Sequence, residues 1–154
     1  MKRVNKGLRA QATGALLLTL LLWGPIRRPE SPVADAAMRG DISEVEMLLE
    51  RGSDVNLAQG DGMTALHWAG ETGSAEMAKM LIYAGANVDA LTRLGDFTPL
   101  LIAAQSGNGP VVQVLIGGGA DITARSSVGG ATALHYASEA GDPEAIKALL
   151  DAGV

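Results

Sequence analysis

Cysteine is absent from the 154 residues. That excludes disulfide frameworks, thiolate zinc sites, thiol catalysis and lipid attachment through cysteine, and it suits an oxidising compartment. Aromatic side chains are nearly as scarce, with one Phe, two Trp and two Tyr, so a core has to be built from Ala, Leu, Val, Ile and Met. Basic charge is missing from most of the chain. Residues 1–30 hold six of the twelve Lys and Arg (Lys2, Arg3, Lys6, Arg9, Arg27, Arg28) and one acid, Glu30, which leaves 31–154 with six basic and sixteen acidic groups, a net charge of −10. Such a surface repels phosphate backbones and argues against nucleic acid as a partner of the folded part, whereas basic partners are drawn in. The same charge also serves to keep an exposed array in solution.

What is present divides the chain in two. Lys2, Arg3, Lys6 and Arg9 precede the apolar run Ala15–Trp23, the order of an export signal. The uncharged stretch Ala10–Ile26 would reach roughly 25 Å as a helix, the short limit for crossing a bilayer core. Gly24-Pro25 breaks it and Arg27-Arg28 ends it. No small-x-small cleavage site lies between Gly24 and Ser31. Ala34-Asp35-Ala36 has that spacing but belongs to the first repeat, where cleavage would damage the fold. Residues 1–30 are therefore expected to be either an uncleaved membrane anchor or a cleaved signal. The excess of basic groups before the run places the remainder on the periplasmic or extracellular side.

From residue 31 the chain repeats itself. Thr64-Ala-Leu-His-Trp-Ala-Gly, Thr98-Pro-Leu-Leu-Ile-Ala-Ala and Thr132-Ala-Leu-His-Tyr-Ala-Ser are in phase, and Ser31-Pro-Val-Ala-Asp-Ala-Ala is an earlier, weaker copy. Each meets a glycine nine residues on (Gly40, Gly73, Gly107, Gly141), then a second apolar run. Gly52-Ser-Asp-Val-Asn, Gly85-Ala-Asn-Val-Asp, Gly119-Ala-Asp-Ile-Thr and Gly153-Val154 close the copies. A period of 33–34 residues with this grammar is that of a solenoid. Ser31, Thr64, Thr98 and Thr132 are placed to cap a first helix through their hydroxyls, with Pro32 and Pro99 at the first helical position. Gly52, Gly85, Gly119 and Gly153 stand where a second helix ends in the left-handed conformation. Helices this short cannot stand alone in water. Leu66, Ala69, Ala78, Leu81 and Ile82 have to be covered by a neighbouring copy, and Ala37, Ala69, Ala103, Ala104 and Ala137 allow close approach.

The pattern Thr-Pro-Leu-His-x-Ala-Ala, Gly, Val-Val-x-Leu-Leu, Gly-Ala-Asp-Val-Asn is similar to the ankyrin repeat family and covers 31–154. The resemblance implies an all-α, ankyrin-type helix-turn-helix repeat solenoid with short hairpin-like finger loops. Its copies would run 31–63, 64–97, 98–131 and 132–154, after the N-terminal segment 1–30. The copies 64–97 and 98–131 carry one residue more than the family's usual 33, in the loop before Thr98 and Thr132, so longer or bulged fingers are expected. The last copy stops at Val154 with no polar closing helix. A partial chain is therefore expected, with a bare outer face around Ile146, Leu149 and Leu150.

Catalytic chemistry is not indicated. His67 and His135 occupy one repeat position, for which the resemblance implies structural hydrogen bonding. Two repeats apart, they would lie nearly 20 Å from each other, whereas a zinc ion holds its nitrogens at about 2 Å. The acid pairs Glu44/Glu46 and Asp142/Glu144 complement helix N-termini. Gly117-Gly118-Gly119 lacks the strand and the Gly-Lys-Ser/Thr ending of a phosphate loop, and is instead a loosened helix end. No cofactor is expected.

The resemblance further implies that loop tips and the exposed side of each first helix contact a partner protein. At the tips these positions are Gly60, Asp61 and Met63; Arg93, Leu94 and Phe97; Ser127, Val128 and Ala131. On the helices they are Glu71, Thr72, Gln105, Ser106 and Glu139, with Trp68, Ile102 and Tyr136 in a column between. Trp68, Tyr136, Phe97 and Met63 are candidate hot spots, because exposed aromatic and apolar side chains dominate interface energies. Alternatively, Trp68 and Tyr136 pack between repeats. Replacing Phe97 and Leu94 by Ser is expected to spare folding. The function implied is non-enzymatic protein binding by a monomeric array; the alternative is that the array is one portion of a longer exported enzyme or sensor.

Overall fold

The computed structural model describes residues 31–154. The expectations about export, anchoring and cleavage fall on residues 1–30 and lie outside the described residues. Among the described residues, eight helices form four antiparallel pairs: α1 (Pro32–Met38) with α2 (Ile42–Glu50), α3 (Ala65–Thr72) with α4 (Ala75–Tyr83), α5 (Pro99–Gln105) with α6 (Gly109–Gly117), and α7 (Ala133–Ala140) with α8 (Pro143–Asp151). Extended structure among the described residues is limited to an isolated antiparallel bridge between Arg125 and Thr132. None of these helices is long and apolar enough to cross a membrane.

The helices end as their letters dictate. Gly52, Gly85, Gly119 and Gly153 take positive φ of 80–95°. The residue after each donates its N–H back across the last turn, as Ala86 does to the Leu81 carbonyl at 2.9 Å and Ala120 to that of Leu115 at 3.0 Å, which satisfies carbonyls the helix leaves free. At the other end, Asp41 accepts the Glu44 N–H at 3.0 Å and Asp142 those of Glu144 and Ala145 at 2.9 and 3.2 Å. Gly117 and Gly118 complete α6 instead of unwinding it.

First-helix capping varies among the copies. Thr98 accepts a first-turn amide with its hydroxyl, from Leu101 at 3.2 Å. Thr64 and Thr132 form capping boxes, in which the Thr side chain takes the N3 backbone and the His ring takes the cap residue's own N–H. The Thr64 N–H donates to His67 Nδ1 at 3.1 Å and the Thr132 N–H to His135 Nδ1 at 3.3 Å, with the hydroxyls 2.8 and 2.7 Å from the same nitrogens. The Ser31 side chain makes no cap bond.

Stacking buries the apolar faces. First helices pack in the order α1, α3, α5, α7, while α4 packs on α6 and α6 on α8. The five alanines singled out for close approach are all buried, as are Leu66, Ala69, Ala78 and Leu81. Approach is close at Gly70 in α3, where a Cβ would stand 2.9 Å from the Pro99 carbonyl of the next repeat, and at Gly109 in α6, where it would stand 2.7 Å from the Glu144 Cβ. The face expected to be bare is partly covered: Leu149 is fully buried and Ile146 partly so, and only Leu150 is exposed. On an amphipathic helix neighbouring positions point in different directions, and Leu149 turns into the core cluster.

Asp54-Val55-Asn56 and its equivalents link the copies along one edge. Within each triplet the first side chain accepts the third residue's N–H (Asp54 from Asn56, Asn87 from Asp89, Asp121 from Thr123). Across copies, Asn56 accepts the Asn87 N–H at 2.7 Å and Asp89 the Asp121 N–H at 2.8 Å. The Thr123 bonds hold the Asp121 carboxyl below its ordinary value.

Candidate partner-binding face

Each finger is closed at its base by one backbone hydrogen bond: Gln59 N–H to Met63 O (2.9 Å), Thr92 N–H to Phe97 O (3.0 Å) and Ser126 N–H to Ala131 O (3.0 Å). The first closure spans three residues and the others four, so the additional residue of the longer copies sits in the tip. Two successive positive φ values absorb it, at Gly95 and Asp96 (85° and 50°) and at Gly129 and Gly130 (75° and 68°). Asp96 is the one non-glycine residue with positive φ among those described.

A polar residue at the base braces each tip. The Thr92 hydroxyl donates to the Leu94 carbonyl at 2.9 Å and accepts the Phe97 N–H at 3.0 Å. The Ser126 hydroxyl donates to the Val128 carbonyl at 2.9 Å, so the Tyr136 hydroxyl, 3.0 Å away, is the donor between those two. Gln59 links the first finger to α1 and α3, donating to Asp35 at 2.6 Å and accepting the Trp68 indole N–H at 2.9 Å. These three positions were not anticipated, and their sequence signal is slight: a polar side chain five or six residues ahead of the next Thr. The fingers are also joined to one another, Arg93 N–H donating to Asp61 O (2.8 Å) and Ser127 N–H to Gly95 O (2.9 Å).

Between the first two fingers and α5 lies an open hollow of about 230 Å³, lined by Asp61, Met63, Thr92, Leu94, Phe97, Ile102 and Gln105. Six of these seven were named from the sequence, so residues dispersed over 45 positions of the chain meet at one place. Asp61 is steadied by the Met63 N–H, which donates to its Oδ1 at 2.9 Å.

The remaining candidates separate by exposure. Leu94 is 82% and Val128 65% exposed at adjacent tips. Gly60, Arg93, Ser127, Glu71, Thr72, Gln105, Ser106 and Glu139 are exposed as well. The Thr72 hydroxyl is engaged by the Trp68 carbonyl at 2.8 Å. Four candidates are not the free side chains that the sequence suggested. Met63, Ile102 and Tyr136 are buried, and the Tyr136 ring leans on Phe97 with centroids 5.7 Å apart. Phe97 is half-buried, so its replacement by Ser is expected to remove packing worth about 1 kcal/mol, while its backbone bonds stay available. The column Trp68–Ile102–Tyr136 carries the fingers from beneath.

Under the face, His67 Nδ1 accepts the Thr64 N–H and therefore bears no proton, so Nε2–H donates to the Phe97 carbonyl at 3.0 Å. Burial lowers the His67 pKa from its ordinary value, against smaller raising effects of the Phe97 and Ala90 carbonyls and Asp61. The ring is a neutral clamp between the first helix of its copy and the finger that ends that copy.

A family model described as ankyrin repeats (3 copies) matches residues 10–92, 33–126 and 91–154. Cortactin-binding protein 2 of Rattus norvegicus is 35% identical over 105 residues, covering 59% of this chain and 6% of that protein. The Equus caballus protein of that name is 38% identical over 96 residues, covering 53% and 6%. Ankyrin repeat domain-containing protein 40 of Mus musculus is 35% identical over 71 residues, covering 46% and 20%. The chain thus spans a fifth or less of the length of these relatives.

Proposed function

The chain belongs to the ankyrin repeat family, whose repeats are protein–protein interaction modules, and from that premise we propose that it is a non-enzymatic module holding a partner protein against its fingers and first helices. The observation that carries this reading is the pair of exposed apolar tips, Leu94 and Val128, beside a hollow floored by Met63, Phe97 and Ile102. A finger that only had to turn the chain has no use for an apolar side chain in water. Its rigidity, from base bonds and finger-to-finger bonds, lowers the ordering cost of binding.

Capture from native extract tests it, comparing the chain with a Leu94→Ser/Val128→Ser variant and with Tyr83→Ser. Tyr83 is 96% exposed at the end of α4, a second helix, and serves as the control. A specific protein retained by the parent and by Tyr83→Ser but lost from the tip variant supports the reading; equal retention by the tip variant overturns it.

The reading extends to location: residues 1–30 direct export, supported by the basic-then-apolar order of Lys2–Arg9 and Ala15–Trp23. A reporter that is active only outside the cytoplasm, fused after residue 30, is expected to be active, and inactive after Leu17→Arg/Leu18→Arg. That the repeats are the binding portion of a longer exported enzyme or sensor is a second reading, favoured by the small share of each relative that the chain covers.

A further inference from the structure

The binding face differs in charge from a plain apolar groove. Fingers and first helices carry the carboxylates Asp35, Asp61, Glu71, Asp96 and Glu139 against three arginines. Of these, Arg39 pairs with Glu44 on the neighbouring second helix and Arg125 donates to the Gly130 carbonyl at 3.0 Å within its own finger. Among the described residues, Arg93 is left as the one cation at a finger tip. The hollow of about 230 Å³ is smaller than the roughly 300–1,000 Å³ typical of small-molecule pockets. Its lining combines apolar Met63, Leu94, Phe97 and Ile102 with polar Thr92 and Gln105 and the Asp61 carboxylate.

Resting on the reading of this face as a partner-binding surface, we infer that the hollow receives one large apolar side chain from an extended partner segment and that Asp61 holds a Lys or Arg beside it. The volume sets the first requirement, since a single side chain fills it. Charge sets the second: among the described residues, an acidic segment meets five carboxylates against the single free cation Arg93, whereas a basic one gains attraction and faster association. Asp61 is suited to the task because the Met63 N–H holds one of its oxygens, so little side-chain freedom is lost on binding.

The test uses a phage-displayed library of random dodecapeptides panned on the full chain, followed by affinity measurement of the enriched peptides. Enriched sequences are expected to share a large apolar residue within a few positions of Lys or Arg. Their binding should weaken about tenfold in Leu94→Ser, which removes apolar contact. In Asp61→Asn it should weaken about threefold, an effect that shrinks as salt is raised. The amide that Asp61→Asn introduces keeps an oxygen able to accept the Met63 N–H, and circular dichroism checks that both variants fold. Glu46→Gln, on α2, should change nothing.

Peptides that depend on Leu94 but carry no basic residue, or ignore Asp61→Asn, overturn this inference and leave the binding face itself standing. Peptides indifferent to both variants bind elsewhere and count against both readings. A library that yields no enriched peptide overturns the inference alone, because capture of a folded partner is measured separately.

Discussion

Thr64-Ala-Leu-His67 and Thr132-Ala-Leu-His135 are the same four letters at the same phase, 68 residues apart. Locally they fold alike: in both, the Thr N–H donates to the ring Nδ1 and the hydroxyl approaches it. Their surroundings differ. His67 is fully buried and reaches the Phe97 carbonyl in the finger that ends its own copy, whereas His135 is exposed. Three residues on, Gly70 lies hard against the Pro99 carbonyl, and the equivalent Ser138 is exposed with its hydroxyl donating to the Leu134 carbonyl at 2.7 Å. The motif fixes the helix start in either setting; what the ring and the glycine contribute is decided by whether a repeat stacks on them.

The largest break in this comparison is expected from exchanging the small residues. Gly70→Ser forces α3 away from α5 and should cost about 1–3 kcal/mol in urea denaturation. Ser138→Gly should cost about 1 kcal/mol or less, from the propensity of glycine in a helix. Equal losses would mean that the close approach at Gly70 is not a constraint.

The histidines come next. His67→Leu leaves the Phe97 carbonyl without its donor and should cost about 1–3 kcal/mol, more than His135→Leu. His67 also gives stability a pH dependence. Its folded pKa lies below the unfolded value of about 6.5, so the unfolded chain binds the proton more readily. Its contribution is complete above that value and falls as pH drops from there towards the folded pKa. The loss on acidification should be steeper in the parent than in His67→Leu, as measured by denaturant midpoints on both sides of pH 6.5. Matching slopes would assign the acid sensitivity to carboxylates.

The smallest effect compares the second and third fingers. Asp96 holds φ of 50° where the third finger has Gly130 at 68°. Asp96→Gly should leave stability within about 0.5 kcal/mol or raise it slightly, while Gly130→Val should lower it by about 1 kcal/mol or more, since a β-branched residue resists positive φ. Thermal midpoints of the two variants decide this.

Much of this was legible in the sequence. The in-phase Thr, Gly and apolar positions predict helix pairs, their left-handed ends and a core of alanine and leucine. The extra residue before Thr98 and Thr132 predicts an enlarged tip, which the paired positive φ values bear out. Six lining residues of the hollow were among the contact positions that the ankyrin resemblance implies. The departures share one origin: each concerned what lies beside a residue rather than which turn it occupies. Met63 and Ile102 read as surface positions because nothing in their spacing reports the finger folded over them, and burial of Tyr136 follows the alternative that it packs between repeats. Leu149 read as bare because its partners lie outside its own helix. At Thr64 the cap gains a second bond, because the ring of His67 folds back to take the Thr64 N–H.

The sequence by itself determined the period, the helix boundaries and the residues free to adopt positive φ, since these depend on interactions within a few residues along the chain. Tertiary structure alone decided which of two identical histidines is a buried clamp, which glycine is a packing requirement and which apolar side chains remain open to a partner. Those outcomes depend on contacts about 30 or more residues apart in sequence, and a short motif carries no record of them.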